Sequence, residues 1–270
     1  YKMPNNLNYN IPNNLNYKMP NNLNYNIPNN LNYNYAKEDI ITVITYNIRH
    51  GVGLDNNLGL EKIANVVKAE NPDAVAFQEV DVQTKRTRRL DESKILGDLA
   101  GFKSFFGKSI PYGGGEYGNA IITRDRNAVL INHFPLPGKE PRCLLAIQSR
   151  TKMGTPFVFA CTHLCLDETN RIKSTEIINN WVRQVPYPTI LVGDMNCKTD
   201  SPPFKKFLEV WDSTWGAKPL PTFPANKPKT AIDHCLTYPK NKWKVKEIKV
   251  IEEKVASDHR PLKITLKLGN

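Results

Sequence analysis

The chain has 270 residues, 40% of them hydrophobic, with 37 Lys and Arg against 26 Asp and Glu and a formal net charge of +11. That is enough material for one large domain with its own core, and the absence of a long apolar run excludes a transmembrane helix, so a soluble chain is expected. The basic balance suits an anionic partner without naming one, and an odd set of five cysteines with no CxxC or Cys/His ligand spacing argues against a disulfide scaffold or a zinc site.

Residues 1–32 are four tandem copies of an eight-residue unit, alternating YKMPNNLN and YNIPNNLN. A proline in every unit interrupts helix and ladder alike, the Asn pairs favour turns, and one Leu with one Met or Ile per unit is too little for a core. Residues 1–35 are therefore expected to be a mobile tail, with surface tethering or adhesion as the alternative, and residues 36–270 a folded domain. Lys2 and Lys18 are the only charges before residue 36, so taking 2 from +11 leaves that domain +9. The chain starts at Tyr1 with no charged-then-apolar leader, which leaves the compartment open: cytoplasmic, or secreted after removal of a leader.

Residues 40–48, a β-branched run that stops at a polar Asn47, predict a strand. Leu60, Ile63, Ala64 and Val67 follow helical spacing until Asn71-Pro72-Asp73 stops them, and residues 74–80 predict a second buried strand with Glu79 at its tip. The segment Lys85-Arg86-Thr87-Arg88-Arg89 is basic and by itself reads as a solvated loop. Residues 112–118 are glycine-rich but lack the spacing of a Walker or dinucleotide motif, and read as a loop leading into a short strand at 119–122. Further short strands are expected at 144–147 and 157–161, followed by His163, and then a helix over 171–184. Such crowding of short strands departs from a purely parallel sheet and fits two packed sheets with helices outside.

Residues 189–196, TILVGDMN, are an apolar run between Pro188 and Gly193, which fits a central strand better than a helix. Asp194 and Asn196 are two apart, so in extended geometry they point to the same side. A carboxylate and an amide presented together can hold, polarise or deprotonate a water beside a phosphate; an Asx turn is the plain alternative. Asp233 and His234 follow, then Asp258 and His259 before a last strand at 262–268. Polar groups thus gather at strand or loop ends, where ligands bind in open α/β sheets. Most cysteines read as small core residues, whereas Cys197, directly after Asn196, is expected to be reachable by solvent.

The set TYN (45–47), QEV (78–80), TH (162–163), GDMN (193–196), IDH (232–234) and SDHRP (257–261), in that order, is similar to the endonuclease/exonuclease/phosphatase superfamily, the deoxyribonuclease-I-like metallophosphoesterases. The resemblance covers residues 40–268. It implies a four-layer α/β sandwich, two packed mixed β-sheets flanked by helices, with one phosphate-binding site at an edge. It further implies that Glu79 ligates a divalent metal with Asn47 and Asp258 beside it, an all-oxygen set suited to Mg²⁺ or Mn²⁺. Asp194 would orient or deprotonate the attacking water, Asn196 would fix that water or a phosphate oxygen, and His163 would bond the phosphate. His259, oriented by Asp233, would stabilise the transition state or act as base. The alternative for these positions is satisfied histidines, turn residues and caps.

Two departures from the family pattern stand out: Met195 where an aromatic is common, a matter of packing, and Ser174 where many members have Gln, a matter of substrate choice. The implied activity is metal-dependent hydrolysis of a phosphodiester or phosphomonoester by a monomer. A nuclease acting on DNA or RNA is the alternative within the enzyme class, favoured by the basic domain and by Arg86, Arg88 and Arg89. A binding or adhesion protein that uses the repeat on an inactive domain is the alternative outside it.

Overall fold

The computed structural model describes residues 38–269. The repeat, the expected tail and the domain boundary at residue 36 lie outside the described residues. In chain order the first half comprises β1 (Ile40–Asn47), α1 (Leu60–Ala69), β2 (Ala74–Val82), α2 (Glu92–Ala100), β3 (Lys103–Tyr112), β4 (Gly115–Thr123), β5 (Val129–Leu136) and β6 (Arg142–Arg150). The second comprises β7 (Pro156–His163), α3 (Glu168–Val182), β8 (Thr189–Asp194), α4 (Pro202–Leu208), β9 (Asp212–Ser213), β10 (Asp233–Tyr238), β11 (Trp243–Val250) and β12 (Leu262–Leu268).

The strands form two six-stranded mixed sheets, ordered β11-β12-β1-β2-β4-β3 and β5-β6-β7-β8-β10-β9. Val43, Ile121 and Ile264 of one sheet meet Leu145, Phe159 and Leu191 of the other in a shared core. α1 and α2 close the outside of the first sheet over Ile44, Tyr46 and Phe77, and α3 and α4 bring Ile178, Val182, Phe204 and Phe207 to the second. The four-layer sandwich is therefore the architecture. Among the described residues no helix is long and apolar enough to cross a membrane.

Local chemistry explains where the elements stop. Asp91 and Asp167 cap α2 and α3 by accepting the Lys94 and Asn170 backbone N–H groups, and Gly101 ends α2 in the left-handed region at φ 73°. The Asp167 cap starts α3 three residues before the expected residue 171. The glycine-rich stretch is a tight hairpin turn between β3 and β4, with Gly113 at φ 52° and Gly114 at φ 78°. Only the turn is loop; Gly115 already pairs in β4.

Two parallel pairs position the site. β1 runs parallel to β2 and β7 parallel to β8, so the chain leaves all four at one edge of the sandwich. β10 and β12 run antiparallel to β8 and β1 and begin at that same edge. Asp233 therefore opens its strand rather than ending one, and still lies opposite Asp194, which itself lies opposite His163. At Gly193 a Cβ would overlap the Thr162 carbonyl oxygen, so only glycine lets β8 approach β7 this closely.

Candidate active site

Asp194, 1% exposed at the end of β8, is the group on which the others converge. Its Oδ2 accepts from Asn47 Nδ2 at 3.1 Å and lies 3.6 Å from both His163 Nε2 and His259 Nε2. Its Oδ1 accepts the Asn196 backbone N–H at 2.9 Å. The chain turns sharply here, with Asn196 left-handed at φ 48°, so the extended geometry expected for Asp194 and Asn196 is replaced by an Asx-type turn. The turn and the site coincide: Asn196 Nδ2 donates to the Leu164 carbonyl at 2.8 Å and lies 3.1 Å from His163 Nε2.

Hydrogen-bond partners set the two imidazoles apart. Facing an Asn N–H, His163 Nε2 acts as acceptor, and burial holds this ring neutral, far below the ordinary histidine range, with Arg142 and His259 adding to the effect. His259 Nδ1–H donates to Asp233 Oδ2 at 2.9 Å. Burial also opposes charge on this ring, but Asp233 and Asp194 outweigh it and raise its pKa to about 10. Asp194 is pushed above the ordinary carboxylate range by burial, against the pull of His259.

Asp233 is fixed from two sides. Its Oδ2 also accepts from Thr222 Oγ1 at 2.6 Å, its Oδ1 is buried without a partner among the described residues, and the Phe223 ring lies 4.8 Å, centroid to centroid, from His259. The pairing of Asp233 with His259 expected from the sequence is present. Thr222 and Phe223 escaped sequence reading, because a Thr-Phe pair in a proline-rich loop carries no spacing signal.

Glu79 differs from expectation in how it reaches the site. β2 continues to Val82, and Glu79 sits on a bulge where Gln78 and Glu79 together face Asn119, with its own backbone left-handed at φ 58°. Bulges re-aim a side chain, and here the bulge turns the carboxylate toward Asn47 Nδ2, 3.0 Å away. Burial raises Glu79, and the charge of Asp258 raises it further against the Asn47 bond. Ser257 Oγ donates to the Asn47 carbonyl at 2.7 Å, which fastens the Asp258 loop to β1.

These acids test the fit of a divalent cation. The charge of Asp258 is felt at Glu79, and an all-oxygen set of carboxylates would suit a hard cation. Asn47 is turned differently from a ligand: its Nδ2 donates to Glu79 and Asp194 while its Oδ1 accepts the Arg49 N–H at 3.1 Å. Asp194, Asp233 and His259 also bring one donor atom each within 4.8 Å of one another, with Asp233 Oδ2 and His259 Nδ1 bonded to each other.

Arg142, at the head of β6, is a further charged group at this edge. It is 7% exposed, Nη1 donates to Glu140 at 2.5 Å and Tyr117 OH lies at 3.5 Å, and Nε is buried without a partner among the described residues. Its charge reaches both Glu79 and His163. A single Arg before an apolar run gives no motif.

Other expectations change. Cys197 is 5% exposed and all five cysteines are free and buried, so none is reachable by solvent. Met195 is fully buried, as a packing role requires, but so is Ser174, which removes it from contact with a substrate. In the basic segment, Arg86 binds buried Asp81 through two bonds of 2.7 and 2.8 Å and stacks on Tyr112, and Arg89 donates to the Gln83 and Gly114 carbonyls. Two of the three arginines that favoured a nucleic-acid substrate are thus committed to the fold.

Comparison with known proteins agrees with this fold. Residues 44–259 match the model of the Endonuclease/Exonuclease/phosphatase family. No curated protein matches the chain by sequence. An endonuclease/exonuclease/phosphatase from Beutenbergia cavernae has a similar structure, with TM-score 0.70 and 24% identity over 86% of this chain and 72% of that one. A mannosyl-6-phosphatase from Bacteroides thetaiotaomicron gives 0.66 and 21% over 84% and 99%. D. rerio TDP2 complexed with single-strand DNA product gives 0.64 and 15% over 85% and 99%. At these identities the likeness is one of fold.

Proposed function

The chain belongs to the endonuclease/exonuclease/phosphatase family, and from that premise we propose that it is a phosphoric ester hydrolase that cleaves its substrate by direct attack of water at phosphorus. The observation that carries this reading is the convergence of Asn47, His163 and His259 on one buried carboxylate, Asp194, within 3.1 to 3.6 Å. Glu79 and Asp258 would hold a divalent cation, Mg²⁺ or Mn²⁺. When bound, the cation neutralises phosphate charge and eases departure of the leaving oxygen.

The chain's own residues supply the rest. Asp194, raised by burial, accepts a proton from the water whose oxygen forms the new bond to phosphorus. Asn47 and the Asn196 backbone N–H hold Asp194 in place, and the Asn196 amide holds His163 and the Leu164 carbonyl. The His259 imidazolium, kept charged by Asp233, stabilises negative charge on the phosphoryl oxygens as the ester P–O bond breaks. Neutral His163, whose Nε2 accepts from Asn196, has only its Nδ1–H to donate to a phosphoryl oxygen.

A screen of phosphomonoesters, phosphodiesters and nucleic acids, each with Mg²⁺, with Mn²⁺ and with excess chelator, tests this reading. Cation-dependent release of phosphate or of an alcohol is expected, and it should be lost in Asp194→Asn. Turnover that survives both chelator and Asp194→Asn would overturn it. Cleavage confined to DNA or RNA would select the nuclease alternative.

A further inference from the structure

Behind the catalytic edge lies a third histidine, which the reaction does not use. His234 follows Asp233 in β10, so strand alternation turns its ring to the opposite face of the sheet, under the loop that leads from β8 to α4. The ring is fully buried and makes two bonds: Trp215 Nε1 lies 2.8 Å from Nδ1, and the Cys197 carbonyl oxygen lies 2.7 Å from Nε2. An indole N–H can only donate, so Nδ1 must accept, and Nε2 must carry the proton that it donates to Cys197. One tautomer satisfies both partners. Phe204 packs on the ring at 4.6 Å, and burial lowers the pKa to about 4, so the ring stays neutral.

The Cys197 carbonyl is one peptide beyond Asn196, whose backbone is left-handed at φ 48°, a conformation Asn tolerates better than other residues with a Cβ but which its neighbours still have to hold in one orientation. On one side the turn is held by Asp194 Oδ1 and the Leu164 carbonyl. On the other, His234 holds the Cys197 carbonyl. We propose that His234 is a positioning residue: through Cys197 it fixes the Asn196 turn, and with it the Asn196 amide and the Asp194 carboxylate, while its own ring touches no substrate. The inference rests on the hydrolase reading for its effect on turnover, but not for the hydrogen-bond relay itself.

The two bonds can be separated by substitution in the full chain. His234→Gln places an amide N–H near Nε2 and keeps the bond to Cys197, whereas His234→Asn reaches only the position of Nδ1 and keeps the bond to Trp215. With p-nitrophenyl phosphate and bis(p-nitrophenyl) phosphate in Mg²⁺, His234→Asn should lower kcat at least about tenfold with KM within about twofold, because a small misplacement far from the chemistry is felt mainly in turnover. His234→Gln should recover most of that loss. A merely structural histidine would make both variants fall together, in step with thermal stability. In parallel, the Asn196 side-chain amide signals in an NMR spectrum of the substrate-free protein should shift or broaden in His234→Asn and hold in His234→Gln. Equal kcat in the two variants, or Asn196 signals indifferent to both, would overturn the proposal. If the wild type cleaves neither ester, the probes or the hydrolase reading have failed and the Asn196 signals alone decide on His234.

Discussion

The two edges of the sandwich both gather acids, and they use them in opposite ways. At the edge where β1 and β7 begin, a cavity of about 220 Å³ is lined by Asp73, Arg124, Asp125, Arg150 and Lys152. There Asp73 accepts from the Thr42 N–H at 2.8 Å and lies 3.3 Å from Lys152, and Asp125 accepts from Asn127, Ser149 and Arg150. At the opposite edge Glu79 feels the charge of Asp258, and Asp194 and Asp233 lie close enough to charge His259. Acids met by backbone donors and cations are scaffold; acids crowded against one another are poised to receive a cation or a proton.

Substitutions on the two edges should therefore read out in different quantities. The largest effect is expected from Asp194→Asn, which removes the proton acceptor and should lower kcat by about three orders of magnitude while thermal unfolding shows an intact fold. Asp233→Asn should cost about two orders, and adding His259→Ala should make it barely worse, because residues that act as a unit are not additive; multiplicative losses would break the pair. Glu79→Gln should weaken the apparent affinity for Mg²⁺ about tenfold or more, seen as a shift in the metal titration of turnover, and an unchanged titration would remove Glu79 from the cation set. On the opposite edge, Asp73→Ala should leave kcat within about twofold and cost on the order of 1 kcal/mol in denaturant unfolding, the worth of a hydrogen bond.

Glu92 sharpens the comparison with the smallest effect. It is fully buried, its Oε2 accepts the Asp81 N–H at 2.8 Å, and its Oε1 has no partner among the described residues. Burial raises its pKa from 4.5 to about 8. Between those values the folded state holds a proton that the unfolded chain has released, so this group makes stability fall as pH rises from about 4.5 to about 8. Glu92→Gln should flatten that slope, measured by chemical denaturation at several pH values in this window. A slope identical to wild type would show that Glu92 is ionised in the fold.

How far the sequence could be read depended on how locally each feature is encoded. Residues 40–48, 74–80 and 189–194 are strands because apolar and β-branched runs bounded by Pro, Asn or Gly have little alternative, and Asp194, Asp233 and His259 stood out as polar groups at the ends of such runs. β3, β5 and β11 went unseen because edge strands are half-exposed and carry charges, as in the Lys-rich run of β11. α2 and α4 are only 9 and 7 residues long, too short for their helical period to stand out. Arg142 and Thr222 were invisible for a different reason, since each gains its meaning from partners far along the chain.

What the sequence by itself determined is the set of core strands, the two-sheet architecture and the polar groups gathered at its edge, because side-chain period and chain breakers act over a few residues. Only the tertiary structure decided how those groups are aimed. The bulge that turns Glu79 inward depends on β4 facing β2, and the side of Asn47 that meets the acids depends on the Arg49 backbone N–H. The accessibility of Cys197 and the commitment of Arg86 to Asp81 depend on loops that close over them. Hydrogen-bond direction and burial are properties of the packed neighbourhood, and no local spacing encodes them.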